Sequence, residues 1–222
     1  MARVSQKPKG IIVYDNQGNE AVNYPSEMVE SIKNTVAKDA TVSELMMFLT
    51  VANRYDLDPF LKEVWFIKSK DGKCSVQTGV AGYRQIAKRD SRFKVCHVEV
   101  VFEEDDFKIT RSMGEITNIE HSYTPSERGN RPIGAYAVLK TKDDDVLFEY
   151  VSFEEYYTGV GAWENYKSEM IKKVAESNIY KRFCNIHGLD SYEAMPKEFT
   201  ENMNELDLNE SEVIDVNIKG DD

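Results

Sequence analysis

Asp58-Pro59 constrains this chain more than any other pair of residues. Upstream, Leu45, Phe48, Leu49 and Ala52 recur at helical spacing behind the capping box Thr41-Val42-Ser43-Glu44. Proline has no N–H to donate and its ring clashes with the preceding turn, so that helix cannot continue past Pro59. Downstream, residues 62–69 read as a strand that carries Lys62 and Lys68. The turn Asp71-Gly72 and a second strand at 73–78 complete a hairpin, for which Asp-Gly is one of the strongest short-range signals. A helix over 79–90 comes next, with Val80, Tyr83, Ile86 and Ala87 on one side and Arg84, Gln85, Lys88 and Arg89 on the other. A helix, a hairpin and a second helix must therefore close on one another within about fifty residues, which points to a mixed fold.

Charge is distributed unevenly around this unit. The chain of 222 residues has a formal net charge of −11, which alone argues against a polyanionic partner. Yet residues 62–92 hold eight Lys or Arg against three acids, whereas residues 93–162 hold seven bases against fourteen acids. Residues 198–222 hold nine acids and only Lys219, a net of −8. Positive charge is thus concentrated in one segment of an acidic protein. At 41% hydrophobic residues the chain can bury a core. It has neither an apolar run long enough for a membrane span nor a secretory leader, so a cytoplasmic location is expected. Cys74, Cys96 and Cys184 are odd in number and widely spaced, and suit reduced thiols better than a disulfide or metal framework.

The remaining periodicities predict an α+β fold in which an antiparallel sheet of hairpins and a meander packs with helices. Residues 1–10 are expected to be flexible, residues 11–196 to form the core, and residues 197–222 to be a disordered or weakly helical acidic tail. Within the core, a hairpin at 11–14 and 21–24 precedes a helix from Pro25 to about Lys38. Strands near 93–103, 107–111, 115–122, 133–140 and 146–152 form the meander. A short helical turn at 153–157, a loop at 159–163 containing two glycines, and a long helix from about Glu164 to His187 complete it, with Gly188 as the stop.

Several features could carry chemistry. On the long helix Ile171, Ala175, Ile179, Phe183 and Ile186 form an apolar stripe, while Lys173, Ser177, Tyr180 and Lys181 lie opposite. Lys172 and Arg182 flank the stripe, where long stems can snorkel. Such a face could track a phosphodiester backbone, or could simply be a solvated surface. Lys62, Lys68, Lys70 and Lys73 on the hairpin face the same choice between gripping phosphates and guarding a sheet edge. Trp163, after two glycines, is a candidate for stacking on a base, against the alternative of self-burial. No phosphate-loop or dinucleotide fingerprint occurs, and His97, His121 and His187 have no ligand partners at metal-binding spacing. The acid clusters 103–106 and 143–145 leave open a metal-dependent nuclease, although consecutive carboxylates beside turns are more often solvated loops.

In order and spacing, these segments resemble the Bet branch of the RecT/Redβ single-strand annealing proteins, recombinases encoded mainly by bacteriophages. Residues 48–64, with Leu57-Asp58-Pro59-Phe60 at their centre, are similar to that family's helix, turn and strand, and Val80-Ala81-Gly82-Tyr83-Arg84-Gln85-Ile86 to its next helix. Phe153-Glu154-Glu155-Tyr156 is similar to its F-x-E-Y segment, and Trp163, Met170, Lys173, Lys181 and Arg182 fall on its W…M-x-x-K…R-K helix. The resemblance implies a protein that coats single-stranded DNA, pairs it with a complement and holds the annealed duplex without ATP and without bond cleavage. It implies no catalytic residues and no required cofactor, with Mg²⁺ acting as a charge screen. It also implies homo-oligomeric rings or helical filaments, and partners such as a phage exonuclease and the host single-strand binding protein. Carried onto this chain, the phosphate groove would use Lys62, Arg84, Lys173, Lys181 and Arg182 with Trp163 beside it; the charge pattern adds Lys68, Lys88 and Lys172.

Two departures stand out. Ser168-Glu169 occupies a place where a further basic residue would be expected, and the acidic tail replaces a folded C-terminal domain. Such a tail could compete with DNA for the groove. An acidic protein-interaction module without DNA activity is the strongest rival reading.

Overall fold

The computed structural model describes residues 10–14, 20–61, 63–69 and 72–194, and these form an α+β fold. Lys62, Lys70, Asp71, almost all of the expected flexible N-terminus and the whole acidic tail lie outside the described residues. The chain opens with strands β1 (Ile11–Tyr14) and β2 (Glu20–Tyr24), paired antiparallel with Ile11 opposite Tyr24. Pro25 then precedes helix α1 (Ser26–Thr35), which stops short of the expected Lys38.

Helix α2 (Val42–Arg54) begins at the predicted capping box, where Thr41 Oγ1 accepts the Glu44 N–H and Glu44 accepts the Thr41 N–H at 2.7 Å. It ends before Pro59 becomes relevant. Asp56 adopts a left-handed conformation (φ 51°), its N–H reaches Asn53 O, and the Leu57 N–H reaches Ala52 O at 2.9 Å. These two bonds form a Schellman motif with aspartate in the usual glycine position. Asp58-Pro59 instead organises the next turn: Asp58 Oδ1 accepts the Phe60 N–H, and Glu63 accepts the Asp58 N–H.

The hairpin strands β3 (Trp65–Lys68) and β4 (Cys74–Thr78) pair in register Trp65 to Gln77, so the first strand is shorter than the expected 62–69. Helix α3 (Val80–Arg89) begins at once, with Val80, Tyr83 and Ala87 buried and Arg84, Gln85, Lys88 and Arg89 turned away from the core, as its periodicity predicts. Gly82 is required where this helix crosses β4. A Cβ there would lie 2.0 Å from Thr78 Oγ1 and 2.9 Å from Glu63 O, closer than packing allows.

Strands β5 (Phe93–Phe102), β6 (Asp106–Ser112), β7 (Glu115–Ser122), β8 (Pro132–Thr141) and β9 (Val146–Ser152) fall near the predicted segments, but they do not form a simple meander. The sheet order is β5-β8-β9, and β6-β7 is a separate hairpin inserted between β5 and β8. Burial explains the exchange. Val100, Ala135, Ala137, Leu139 and Val151 are buried beneath a helix, whereas β6 and β7 alternate half-buried Phe107, Ile109, Ile119 and His121 with exposed polar residues. Strands with one polar side suit a solvated hairpin, not the middle of a covered sheet.

After the short helices α4 (Phe153–Tyr156) and α5 (Ala162–Asn165), a break at Tyr166 leads into the long helix α6 (Lys167–Phe183). The expected single helix 164–187 is thus two. Its end repeats the device seen in α2: Asn185 is left-handed (φ 50°) and the Ile186 N–H reaches Lys181 O at 3.0 Å, so the stop comes before Gly188. Helix α6 lies between the β5-β8-β9 sheet and α3. Ile171, Val174, Ala175 and Ile179 are buried, and so are Ser177 and Tyr180. The strip expected to be a polar surface is therefore an interior seam from which only the lysines at its edges emerge. The last strand, β10 (Asp190–Ser191), joins β4 in parallel and leads into a 3₁₀ turn, η1 (Tyr192–Ala194).

Candidate nucleic-acid interface

Helix α6 carries cations at both ends, in two different settings. The first is the seam with α3, where Arg84 forks onto Glu176, with Nε donating to Oε1 at 2.7 Å and Nη2 to Oε2 at 2.6 Å. Tyr180 also donates to Glu176, at 3.1 Å. Lys181 Nζ lies 5.4 Å above the ring of Tyr83, and burial pulls its ammonium below the ordinary lysine value against the attraction of Asp190 and Glu193. A partly dehydrated ammonium over an aromatic face gains strongly from an added anion. Lys173 is half-buried and acts on the same Glu193. Arg84 thus meets α6 at Glu176, whereas Lys173 and Lys181 both act on Glu193, and Lys88 is exposed on α3.

Lys62 lies outside the described residues, and the expected cations Lys68, Lys172 and Arg182 are held by the protein itself. Lys68 Nζ bonds Glu44 at 3.0 Å. Arg182 bonds Glu149 at 2.7 Å and Phe148 O, and Lys172 pairs with Glu169 at 2.6 Å. Arg89 donates to the carbonyls of Tyr55 and Asp56 at the end of α2, while Arg92 bonds Asp90 and Phe183 O. Such pairs can still be shared with a phosphate, yet each begins with a carboxylate or carbonyl already in place.

A second setting surrounds the start of α6. A cleft of about 700 Å³ is lined by Asn130, Arg131, Pro132, Ile133, Ser152, Phe153, Glu154, Tyr157 and Lys167. Trp163, expected as a stacking platform, is only 3% exposed and so presents no open ring face to a base. It serves instead as the floor of an aromatic group. Phe153 stacks on Tyr157 with ring centroids 4.9 Å apart, and both meet Trp163 edge-on. Tyr157 is the ring left accessible, at 38% exposure, with Lys167 Nζ 5.3 Å above it. Sequence reasoning missed both residues. The signal available was the Phe153–Tyr157 spacing of four, which places two rings on one face of a short helix.

The cleft wall formed by Asn130 and Arg131 is anchored from below. Asp105, whose side chain is fully buried, accepts from Arg128 at 3.0 Å and pairs with His121 Nε2 at 2.9 Å. Burial works to raise the Asp105 carboxyl, but hydrogen bonds from Arg128, the Phe102 N–H and His121 outweigh it and hold the group below its ordinary value. The Arg128 guanidinium also lies 3.6 Å from the centre of the Tyr123 ring. Of the two acid clusters, Glu103 pairs with Arg131 at the cleft and Asp144 with Lys94. Among the described residues no three His, Cys, Asp or Glu side chains are grouped to hold a metal ion.

An α+β core whose central helix brings cations to the surface at both ends has the surface chemistry of a polyanion-binding protein. Residues 23–206 match the sequence model of the RecT family, and the chain belongs to that family, which serves single-strand DNA annealing and recombination in phages. No curated protein matches the chain. Among the described residues, no helix is long and apolar enough to cross a membrane.

Proposed function

We propose that this RecT-family chain anneals DNA strands without ATP and without cleaving bonds: it coats a single strand, admits the complement and retains the duplex. The observation that best supports this reading is the pair Lys173 and Lys181 on α6, within about 80° of one another round the helix and about 12 Å apart along it for a rise of 1.5 Å per residue. Cations a few nucleotides apart can track a backbone while the bases stay free to pair. Each contact is weak, so tight binding requires copies of the chain side by side in a ring or filament. Mg²⁺ would act by screening the two phosphate backbones from one another.

Two measurements test the reading. Complementary labelled oligonucleotides mixed with the protein in nucleotide-free buffer should form duplex faster than alone, and no acceleration would favour the interaction-module reading. Lys173→Ala combined with Lys181→Ala should flatten the dependence of log affinity on log salt by about 1.4, at roughly 0.7 per phosphate contact on a single strand. An unchanged slope would remove α6 from the interface.

A further inference from the structure

Separate elements meet at the cleft beside the start of α6. Arg131 and Ile133 come from the entry to β8, Glu154 from α4, Tyr157 from the residue after it, and Lys167 from the first turn of α6. The fold itself fixes the walls. The Glu103 N–H reaches Arg131 O at 3.1 Å, the Tyr150 hydroxyl donates to Ile133 O at 3.5 Å, and Phe153 and Trp163 brace the Tyr157 ring. A ligand entering such a cleft does not have to order its walls first.

The groups that line the cleft differ in kind, and each excludes a class of ligand. Tyr157 offers an accessible ring and Ile133 an apolar surface, while Lys167 brings a cation. Glu154 is an exposed carboxylate with no cation within ion-pair distance among the described residues. A lone phosphate would meet the Glu154 charge and gain nothing from the ring. An apolar side chain would leave Lys167 and Glu154 without partners. A paired base has its faces stacked and its hydrogen-bonding edge in use. An unpaired base within a strand satisfies all of these groups: its face rests on the ring, its N–H groups donate to the carboxylate, and a flanking phosphate draws the lysine. At about 700 Å³ the cleft has room for a nucleotide. Which base fits best follows from the carboxylate, whose two oxygens both accept. Guanine presents N1–H and its 2-amino group side by side. Adenine and cytosine present an amino group beside a ring nitrogen that is itself an acceptor, and thymine a single N–H between two carbonyl oxygens that a carboxylate repels.

We infer that the cleft is a base-binding site that holds one unpaired guanine of the strand, with its ring on Tyr157, its N1–H and 2-amino group on Glu154 and a neighbouring phosphate on Lys167. This base contact rests on the DNA-binding reading above and adds to it a place where the protein touches more than the backbone. A guanine held in this way has its pairing edge engaged, so the complement must displace Glu154 before it can pair. The cleft therefore tells a strand that is still single from one already annealed.

The test measures binding of the full-length chain to an oligothymidylate with one central guanine, against the same strand with hypoxanthine in that place. Hypoxanthine keeps the fused ring and N1–H but lacks the 2-amino group, so stacking is matched and one donor is removed. The guanine strand should bind about fivefold more tightly, the low end for a bidentate contact to a base edge. Glu154→Ala should bring the two strands to equal affinity, whereas Glu155→Ala, one residue on and outside the cleft lining, should keep the difference. Paired with cytosine in a duplex, guanine and hypoxanthine should bind alike. Equal affinity of the two single strands for the unmodified protein, or a difference that survives Glu154→Ala or pairing, overturns the site. The plain oligothymidylate separates this inference from the reading it rests on. If that strand binds while guanine and hypoxanthine do not differ, only the base site falls. If no strand binds, the DNA-binding reading falls and the base site with it.

Discussion

At the α3–α6 seam, Arg84 already has a bidentate carboxylate partner and Lys181 an aromatic one. At the cleft, Lys167 has no carboxylate within ion-pair distance among the described residues and sits over the accessible ring of Tyr157. Helix α6 thus shares in a seam whose cations help hold the fold, and presents at its start a cation freer to hold a ligand. The difference teaches that positive charge in a sequence measures potential for binding, and that buried acids decide how much of it is committed elsewhere.

The sharpest way to break the comparison is to remove what supports the cleft. Asp105→Ala strands Arg128 and His121 in the interior, and breaking a buried pair of this kind costs about 3 kcal/mol or more. Chemical denaturation should show that loss, and the cleft wall should fail with it. Because the Asp105 carboxyl is held below its unfolded value, its contribution is complete above about pH 4 and lost as pH falls through the folded value. The stability of the unmodified protein should therefore drop more steeply in that acidic window than that of Asp105→Asn. Parallel pH profiles would mean the buried cluster is not coupled to folding.

Arg84→Ala comes next. Glu176 would remain buried with only Tyr180 as donor, a loss of about 2 kcal/mol, discounted because the guanidinium is half exposed. Glu176→Gln, which leaves Arg84 free to turn to water, should cost less. If Arg84→Ala weakened DNA binding with no change in stability, the seam would be a ligand site first and a structural pair second, and the contrast with the cleft would disappear.

How much of this periodicity foresees depends on the range over which each interaction acts. The capping box at Thr41, the burial of one α3 face and the positions of β5 to β9 depend on neighbours within a few residues, and they are found close to where they are expected. The partners of Lys68, Arg182 and Arg84 lie 24, 33 and 92 residues away, so no local pattern could show that these cations are engaged. Asp56 and Asn185 end their helices in a conformation that usually calls for glycine, so the ordinary stop signals, Pro59 and Gly188, point too far along the chain. The exchange of β6-β7 out of the sheet, like the burial of Trp163, depends on which face the tertiary fold covers.

The cleft itself can be sharpened by Tyr157→Ala and Lys167→Ala. Loss of a stacking ring weakens single-strand binding by about 1 to 3 kcal/mol per base, whereas loss of one lysine removes about 0.7 from the salt slope. Tyr157→Ala should therefore lower affinity with the slope retained, and Lys167→Ala should lower the slope. Trp163→Phe should reduce thermal stability before it affects binding, because its ring is floor rather than platform. Equal behaviour of the two cleft variants in a salt titration would mean that no base rests on Tyr157.

The smallest effect returns to the seam. Ser177 is completely buried in α6, and among the described residues its Oγ has no hydrogen-bond partner. A hydroxyl left unpaired in an interior is costly, and alanine is the better helix former. Ser177→Ala should accordingly raise stability by about 0.5 to 1 kcal/mol and leave the salt slope of DNA binding unchanged. A loss of stability would show that the hydroxyl has a partner within the fold. A gain accompanied by weaker DNA binding would mean instead that the seam opens to admit the strand, and that its lysines are as available as the one at the cleft.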